Sequence, residues 1–244
     1  MSNNSVSHRI HDELSHIIAN TPPGNRLPSE PALAMQLKVS RATLREAMRT
    51  FETQGIIRRR QGSGTYVNHP LQVIESGLEV LESIETMAKR IGLSVSPKAL
   101  SIERRFANEE ESQSLKLDPG SEVTSVTRVM LAKNRPVAYL VDVLPTEFLP
   151  PENLSTGFTG SILDLLLQRG EPVLTVSRAE IKAVTASSQV ARALGIQRGD
   201  VLLSIVSDLY SEDGRIVDLS HSYFLPGYFR FHVVRRVEQS QLTI

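Results

Sequence analysis

Apolar and polar residues along the first quarter of the chain follow the repeat of an α-helix. Apolar side chains three and four residues apart predict a first helix over about residues 7–19: Ile10, Leu14, Ile17 and Ile18. The run NTPPGNRLP then breaks the pattern with prolines and a glycine. Two more helices are predicted over 30–37 and 41–54, where Ser29 and Ser40 can cap the first turn. The three-residue turn between these helices is typical of a helix-turn-helix.

A period of two replaces the helical period after Gly55, which is expected to end the third helix. Segments 56–60 and 64–67 are predicted strands, joined by QGSG, a glycine-containing hairpin loop. Arg59 is expected to point away from the two arginines beside it, because side chains alternate along a strand. Three helices and a hairpin predict a winged helix-turn-helix, whose second motif helix lies in the major groove of DNA.

The segment NHP that follows marks a domain boundary. We predict a DNA-binding domain over 1–70, a linker helix over 71–92 and a second domain over 93–244. Turns at KNRP and SEDGR favour antiparallel strands in the second domain. Its predicted strands cover 99–106, 121–132, 136–144, 173–184, 200–209, 215–224 and 228–235, and its helices 109–116, 160–169 and 187–194. The predicted fold class is therefore α+β, with a winged helix-turn-helix followed by an antiparallel α+β domain.

Composition narrows the function. The 244 residues contain no cysteine, which excludes disulfides and thiolate metal sites, and no segment has the composition of a signal peptide or membrane span. We expect a cytoplasmic protein without a membrane partner. The net charge is zero, but residues 1–70 hold nine Lys or Arg against five Asp or Glu. This local excess predicts that the first domain faces a polyanion.

The arginines of the third predicted helix are the main chemical signal. Arg41 and Arg45 are four residues apart and share a face opposite the apolar stripe, so they can reach base edges or phosphates. Thr43 lies at the same end of the helix. Gly62 and Gly64 allow the hairpin loop to approach a sugar–phosphate backbone closely. The alternative is that these arginines are only a solvated helix face. That alternative does not account for the capped turn and the glycine loop beside them.

Residues 26–67 resemble the DNA-binding domain of the GntR family of bacterial transcription regulators, with LPSE, VSRATLREA, GII and QGSGTYV in the family order. The resemblance implies that Arg41, Thr43 and Arg45 contact DNA and that Gly62 enters the minor groove. Pro31 stands where the family usually has arginine, and Ala42 where threonine is common. The DNA-binding candidates are Ser29, Ser40, Arg41, Thr43, Arg45, Arg49, Gln61, Gly62, Ser63 and Gly64.

Residues 126–145, 160–170, 191–205 and 218–231 resemble the UTRA domain of the HutC branch of this family, which is related in fold to chorismate lyase. The resemblance implies a small-molecule effector. By position, the effector-binding candidates are Arg128, Met130, Leu140, Ser161, Asp218 and Phe224. Met130, Leu140 and Phe224 stand where arginine, an acid and tyrosine are frequent, and Asp218 replaces a frequent glutamate.

With one cation and more hydrocarbon, such a pocket suits an effector with one anionic or polar end and an apolar body better than a doubly charged phosphate. Two structural alternatives stay open. Arg128 could simply pair with Glu180 or Asp142, and Ser161 could serve only as a helix cap.

The predicted function is a transcriptional repressor whose operator binding is controlled by an effector. The expected partners are a palindromic double-stranded operator and a second copy of the chain, without a cofactor. An enzyme of chorismate-lyase type is the alternative, but no nucleophile elbow or paired catalytic carboxylates are visible. The histidines near the first helix lack the companion ligands of a metal site, so neither a metal nor a catalytic residue is predicted.

Overall fold

The computed structural model describes residues 3–60, 63–68, 73–154, 158 and 160–235. The chain forms two compact units, one ending at Val73 and including Leu225–Tyr228, the other beginning at Ile74. No helix in these ranges is long and apolar enough to cross a membrane.

The first unit is a winged helix-turn-helix. Its elements are α1 (Asn3–Ala19), α2 (Glu30–Gln36), α3 (Arg41–Thr53), β1 (Ile57–Arg60) and β2 (Gly64–Val67). The strands pair antiparallel, and an isolated bridge joins Arg26 to Tyr66. Both predicted serine caps are confirmed, and Gly55 has the expected left-handed conformation with φ +68°.

The core of the first unit consists of the predicted apolar stripes. Its buried members are Ile10, Leu14, Ile18, Leu27, Leu33, Ala34, Leu37, Leu44, Met48, Phe51, Ile57 and Val67. Burying one large aliphatic side chain stabilises a fold by about 1.5–3 kcal/mol. All three helices contribute to this single cluster, so the outward face of α3 is fixed by the burial of its inward face.

The second unit is built on a six-stranded antiparallel sheet with the order β4-β5-β6-β9-β8-β7. The strands are β4 (Val95–Phe106), β5 (Glu122–Ala132), β6 (Arg135–Pro145), β7 (Leu174–Thr185), β8 (Val201–Ser211) and β9 (Ile216–Phe224). The helices are α4 (Ile84–Arg90), α5 (Glu109–Leu115), α6 (Ile162–Arg169) and α7 (Ser188–Leu194), with a 3₁₀ turn at Pro151–Leu154. This architecture confirms the predicted antiparallel α+β fold.

The predicted linker helix over 71–92 is wrong in its first part. Residues Ile74–Gly77 form strand β3, which pairs in parallel with β10 (Phe229–His232) in a separate two-stranded sheet. Ile74 and Ser76 are buried while Glu75 between them is exposed, which is the period of a strand. Within residues 73–92 the helix is α4, which begins after the N-cap Ser83.

The central strands of the six-stranded sheet are buried on both faces, whereas the edge strand β7 is largely exposed. One face carries a core that includes Ile162 and Leu166 of α6, together with Val126 and Leu144 of β5 and β6. The other face carries Val123, Val143 and Leu219, packed with Leu115 of α5. Successive residues of one strand therefore point into different cores, one on each face of the sheet. Arg128 lies two residues from Val126, so its side chain points to the same face as α6.

Candidate functional site

The first candidate surface is the outward side of α3. Arg41, Thr43 and Arg45 are exposed, whereas Leu44 and Met48 beneath them are fully buried. The predicted orientation of the two arginines is therefore confirmed. Their guanidinium groups are therefore accessible from solvent.

The two capping serines hold the start of each motif helix. Ser40 Oγ accepts a hydrogen bond from the backbone N–H of Thr43 at 3.1 Å and lies 2.8 Å from Thr43 Oγ1. Ser29 Oγ accepts more weakly from the N–H of Ala32, at 3.4 Å. Both predicted site residues thus have a structural role in the turn. Pro31 occupies the first turn of α2, where its missing N–H costs no helical hydrogen bond.

Arg45 is held by a network of charges between helices. Its Nε donates to Glu30 Oε2 at 2.6 Å, although 63% of the Arg45 side chain is exposed. Arg59 Nε lies 3.4 Å from Glu52 Oε2 and 3.9 Å from Glu30 Oε1. Arg59 Nη2 donates to the carbonyl oxygen of Arg45 at 3.2 Å. Arg59 therefore faces α3 and belongs to this network.

Arg49, the last α3 candidate, pairs with Glu46 one turn back on the same helix, at 3.2 Å. This is an exposed i,i+3 pair of the kind that contributes little to stability. Only 28% of the Arg49 side chain is exposed, so Arg49 is less accessible than Arg41 and Arg45.

The hairpin carries a second group of cations. Gly64 has φ +114°, and a Cβ there would overlap the guanidinium of Arg26. The Arg60 guanidinium lies 5.1 Å from the centre of the Tyr66 ring, and Ser63 Oγ is 2.7 Å from the Tyr66 hydroxyl. Sequence reasoning missed Arg26, although its position directly before LPSE was a usable signal. Gln61 and Gly62 lie outside the described residues.

The second candidate site is a buried polar cluster in the other unit. Arg128 of β5 donates through Nη1 to Asp142 Oδ2 of β6, and both side chains are less than one-tenth exposed. Asp218 of β9 is buried beside this pair. The Asp142 alternative for Arg128 is thus the one observed, while Glu180 pairs with Lys182 at 2.8 Å.

Two helix starts lie against this cluster. Ser161 Oγ accepts from the N–H of Asp164 at 3.0 Å, so Ser161 does cap α6. Asp164 Oδ2 in turn accepts from Ser83 Oγ at 2.7 Å, which joins the start of α6 to the start of α4. Glu85, the second residue of α4, lies near enough to Arg128, Asp142 and Asp164 for their charges to affect its pKa. Ser83 and Glu85 were missed because a continuous helix over 71–92 has no N-terminus there.

Burial changes the proton affinity of two of these carboxyl groups. Desolvation raises the pKa of Asp218 well above its usual range, and the neighbouring Asp142 charge raises it further. Desolvation also raises the pKa of Glu85, against the opposing effect of Arg128. Within the described ranges, Arg128 Nε, Asp218 Oδ1 and Glu85 Oε1 are buried atoms without a hydrogen-bond partner. Three such atoms in one cluster mark a site that can accept a polar ligand.

Comparison with known proteins gives this architecture a family. The model of the bacterial regulatory proteins of the gntR family matches residues 6–67, and the UTRA domain model matches residues 90–230. The chain belongs to the GntR family. Its second unit is a UTRA domain, which places the chain in the HutC branch, as the sequence predicted.

Relatives of similar length support this assignment. The chain is 27% identical over 228 residues to the HTH-type transcriptional repressor NagR of Bacillus subtilis, covering 93% of each. It is 26% identical over 242 residues to the mannosyl-D-glycerate transport/metabolism system repressor MngR of Escherichia coli, covering 97% of this chain and 96% of that one. The crystal structure of PhnF from Mycobacterium smegmatis shares the fold, with a TM-score of 0.64 and 23% identity over 94% of this chain and all of that one.

The GntR assignment bears on the competing classes of function. The family and these relatives are transcriptional regulators, so the catalytic alternative has no support from them. Among the described residues, no group of three His, Asp or Glu side chains is arranged to hold a metal ion.

The remaining effector candidates of this GntR protein are apolar. Met130 and Leu140 are buried on the sheet beside Arg128. Phe224 packs edge-on against Phe229 and Phe231, with ring centres 4.7 and 5.1 Å away. These side chains form an apolar surface on the same face of the sheet as Arg128.

Proposed function

We propose that the protein is a repressor that binds a palindromic double-stranded DNA operator as a homodimer, and that a small effector controls this binding. Residues 1–70 carry the DNA interface, and residues 93–244 carry the dimer contact and most of the effector site, to which Glu85 of α4 also belongs. The outward α3 surface, on which Glu30 orients Arg45, is the observation that carries the proposal.

DNA recognition rests on arginines that are exposed and pre-oriented. Arg41 and Arg45 project from α3, and Arg26 and Arg60 lie at the hairpin. Guanidinium groups displace the counterions that surround DNA phosphates, and they form forked hydrogen bonds with guanine. Holding Arg45 against Glu30 reduces the rotamer entropy that is lost when the side chain meets a base.

The edge strand β7 is the proposed dimer contact. It is exposed along nearly its whole length, and on one face Ile181 lies opposite Ile205 of β8. An exposed edge strand of this length is a ready template for pairing with another chain. Antiparallel pairing of two copies about Ala179 sets Arg178 of each opposite Glu180 of the other, which makes the strand complementary to itself in charge.

Effector control rests on the buried cluster in the UTRA domain. A ligand there supplies partners for Arg128 Nε and Asp218 Oδ1 while Met130, Leu140 and Phe224 contact its apolar part. A ligand shifts the regulator between states only by as much as it prefers one of them. We propose that the effector-bound state has the lower affinity for DNA, which is how a repressor is relieved.

The test is a selection of genomic DNA fragments by the purified protein, followed by titration of the best fragment. Arg45→Ala should weaken its binding by about 1–3 kcal/mol, the range for losing a base-reading arginine. The matched control is Arg198→Ala, which removes an exposed arginine from the second unit. Equal affinity of the Arg45→Ala variant and the wild type would contradict the proposed interface.

A further inference from the structure

The buried cluster of the UTRA domain is rich in acids. It combines four carboxyl groups with one guanidinium: Glu85, Asp142, Asp164 and Asp218 with Arg128. Asp142 already neutralises Arg128, and Met130 lies fully buried where a second arginine would have balanced the site. An anionic group that entered this cluster would lie near the carboxyl groups of Asp142 and Asp164, and it would find Arg128 already paired with Asp142.

Two polar atoms of this cluster lack partners of opposite kinds. Asp218 Oδ1 can only accept a hydrogen bond when Asp218 is ionised, and Arg128 Nε can only donate one. Both residues are more than nine-tenths buried, at 6% and 5% exposure. Neither atom has a partner within the described part of the chain. The complementary ligand therefore presents a donor group close to an oxygen acceptor.

Extending the proposed function, on which this inference rests, we propose that the effector is a small cation whose ammonium group binds to Asp218 Oδ1, a buried carboxylate oxygen that lacks a partner among the described residues. An adjacent hydroxyl or carbonyl oxygen of the effector accepts the hydrogen bond from Arg128 Nε. Charge-assisted hydrogen bonds from ammonium to carboxylate are about twice as strong as neutral ones, most of all in a site that excludes water. Of the polar ends that the sequence allowed, the cluster thus favours a cationic one over an anionic one.

Proton exchange gives the binding of a cation a characteristic dependence on pH. Burial raises the pKa of both Asp218 and Glu85, so each tends to hold a proton when the site is empty. Asp218 faces Asp142 of β6 and Arg128 of β5, while Glu85 faces these two groups and Asp164 of α6. An ammonium group displaces the proton, so its affinity rises with pH through the raised pKa values. An anion retains the proton, and its affinity falls over the same range.

The test uses thermal unfolding of the full chain with ethanolamine, ethylene glycol, glycolate and inorganic phosphate at equal ionic strength. The first three probes share a two-carbon body and differ in charge. Ethanolamine should raise the unfolding temperature, and more at pH 8 than at pH 6, whereas glycolate and phosphate should not. A larger rise with glycolate or phosphate, or no rise with ethanolamine, overturns the proposal.

Variants locate the effect. Asp218→Asn should weaken the apparent affinity for ethanolamine about tenfold or more, as expected for the loss of one charge-assisted hydrogen bond. Glu103→Gln, which removes one exposed negative charge from β4, should leave that affinity unchanged. Glu85→Gln is a second variant at the edge of the cluster, for use if Asp218→Asn does not fold. Unchanged affinity in both cluster variants would refute the assignment.

DNA titration of the same preparations separates the two proposals. A preference for anions in a protein that binds DNA overturns only the inference about the effector. Stabilisation by ethanolamine in a protein that does not bind DNA supports the acidic site and counts against the repressor function.

Discussion

The buried ion pair between Arg128 and Asp142 makes a quantitative prediction about stability. We expect Arg128→Met to lower the free energy of unfolding of the second unit by about 3–5 kcal/mol, the cost of leaving one partner of a buried pair uncompensated. The two side chains are only 6% and 9% exposed, so water cannot screen the remaining charge. Asp218 adds to this cost because it loses the same cation.

The loss should depend on pH in a defined direction. Without Arg128, which lowers it, the folded-state pKa of Asp218 rises further above its unfolded value, so the folded state binds more protons than the unfolded state. Stability then falls as pH rises through that folded-state pKa. The deficit relative to the wild type should therefore be larger at pH 8 than at pH 5.5.

The assay is urea unfolding of the full chain followed by circular dichroism, fitted with one transition for each unit. Asp142→Leu combined with Arg128→Met should recover most of the loss, since it removes both charges of the pair. Arg104→Met, which breaks the exposed pair of Arg104 with Glu122, is the matched control and should have little effect. A loss below about 1 kcal/mol for Arg128→Met, as for an exposed pair, would refute the buried pair.

Three other substitutions test the first unit. Leu44→Ala, at a position without solvent exposure, should cost about 2–5 kcal/mol of unfolding free energy, and a first transition unchanged in urea would contradict the packing of α3. Ser40→Ala should cost about 0.5–2 kcal/mol through loss of the cap on α3, while Ser40→Asp should largely retain stability by capping in its place. Gly64→Ala should lower the melting temperature because φ +114° is unfavourable for alanine and its Cβ would meet Arg26, and an unchanged melting temperature would argue against this backbone conformation.

The sequence predicted the helices and strands wherever the hydrophobic period was local. Helices α2 and α3 begin as expected because Ser29 and Ser40 cap their first turns, and α3 ends before Gly55, whose backbone is left-handed. Strand β3 was mistaken for part of a helix because its partner β10 lies far along the chain. A four-residue strand without its partner has too few residues to show a period.

The two candidate sites differed in how much of each could be predicted from the sequence. The outward face of α3 follows from its buried stripe, so the positions of Arg41 and Arg45 needed only the sequence. The partner of Arg128 could not be predicted from the sequence, because it depends on strand register. Arg128 lies opposite Leu140, which brings Asp142 within reach of its side chain. The roles of Glu30 and Glu85 come from contacts between separate elements, and a one-dimensional pattern does not contain such contacts.

The most direct test of the central claim is the salt dependence of binding to the selected DNA fragment. If both copies of a dimer place arginines on phosphates, six or more contacts should lower the affinity by about 10³-fold or more between 50 and 200 mM salt. Removing Arg41 and Arg45 together should make this dependence less steep. A protein that binds no duplex, or whose affinity is the same at both salt concentrations, would contradict the account.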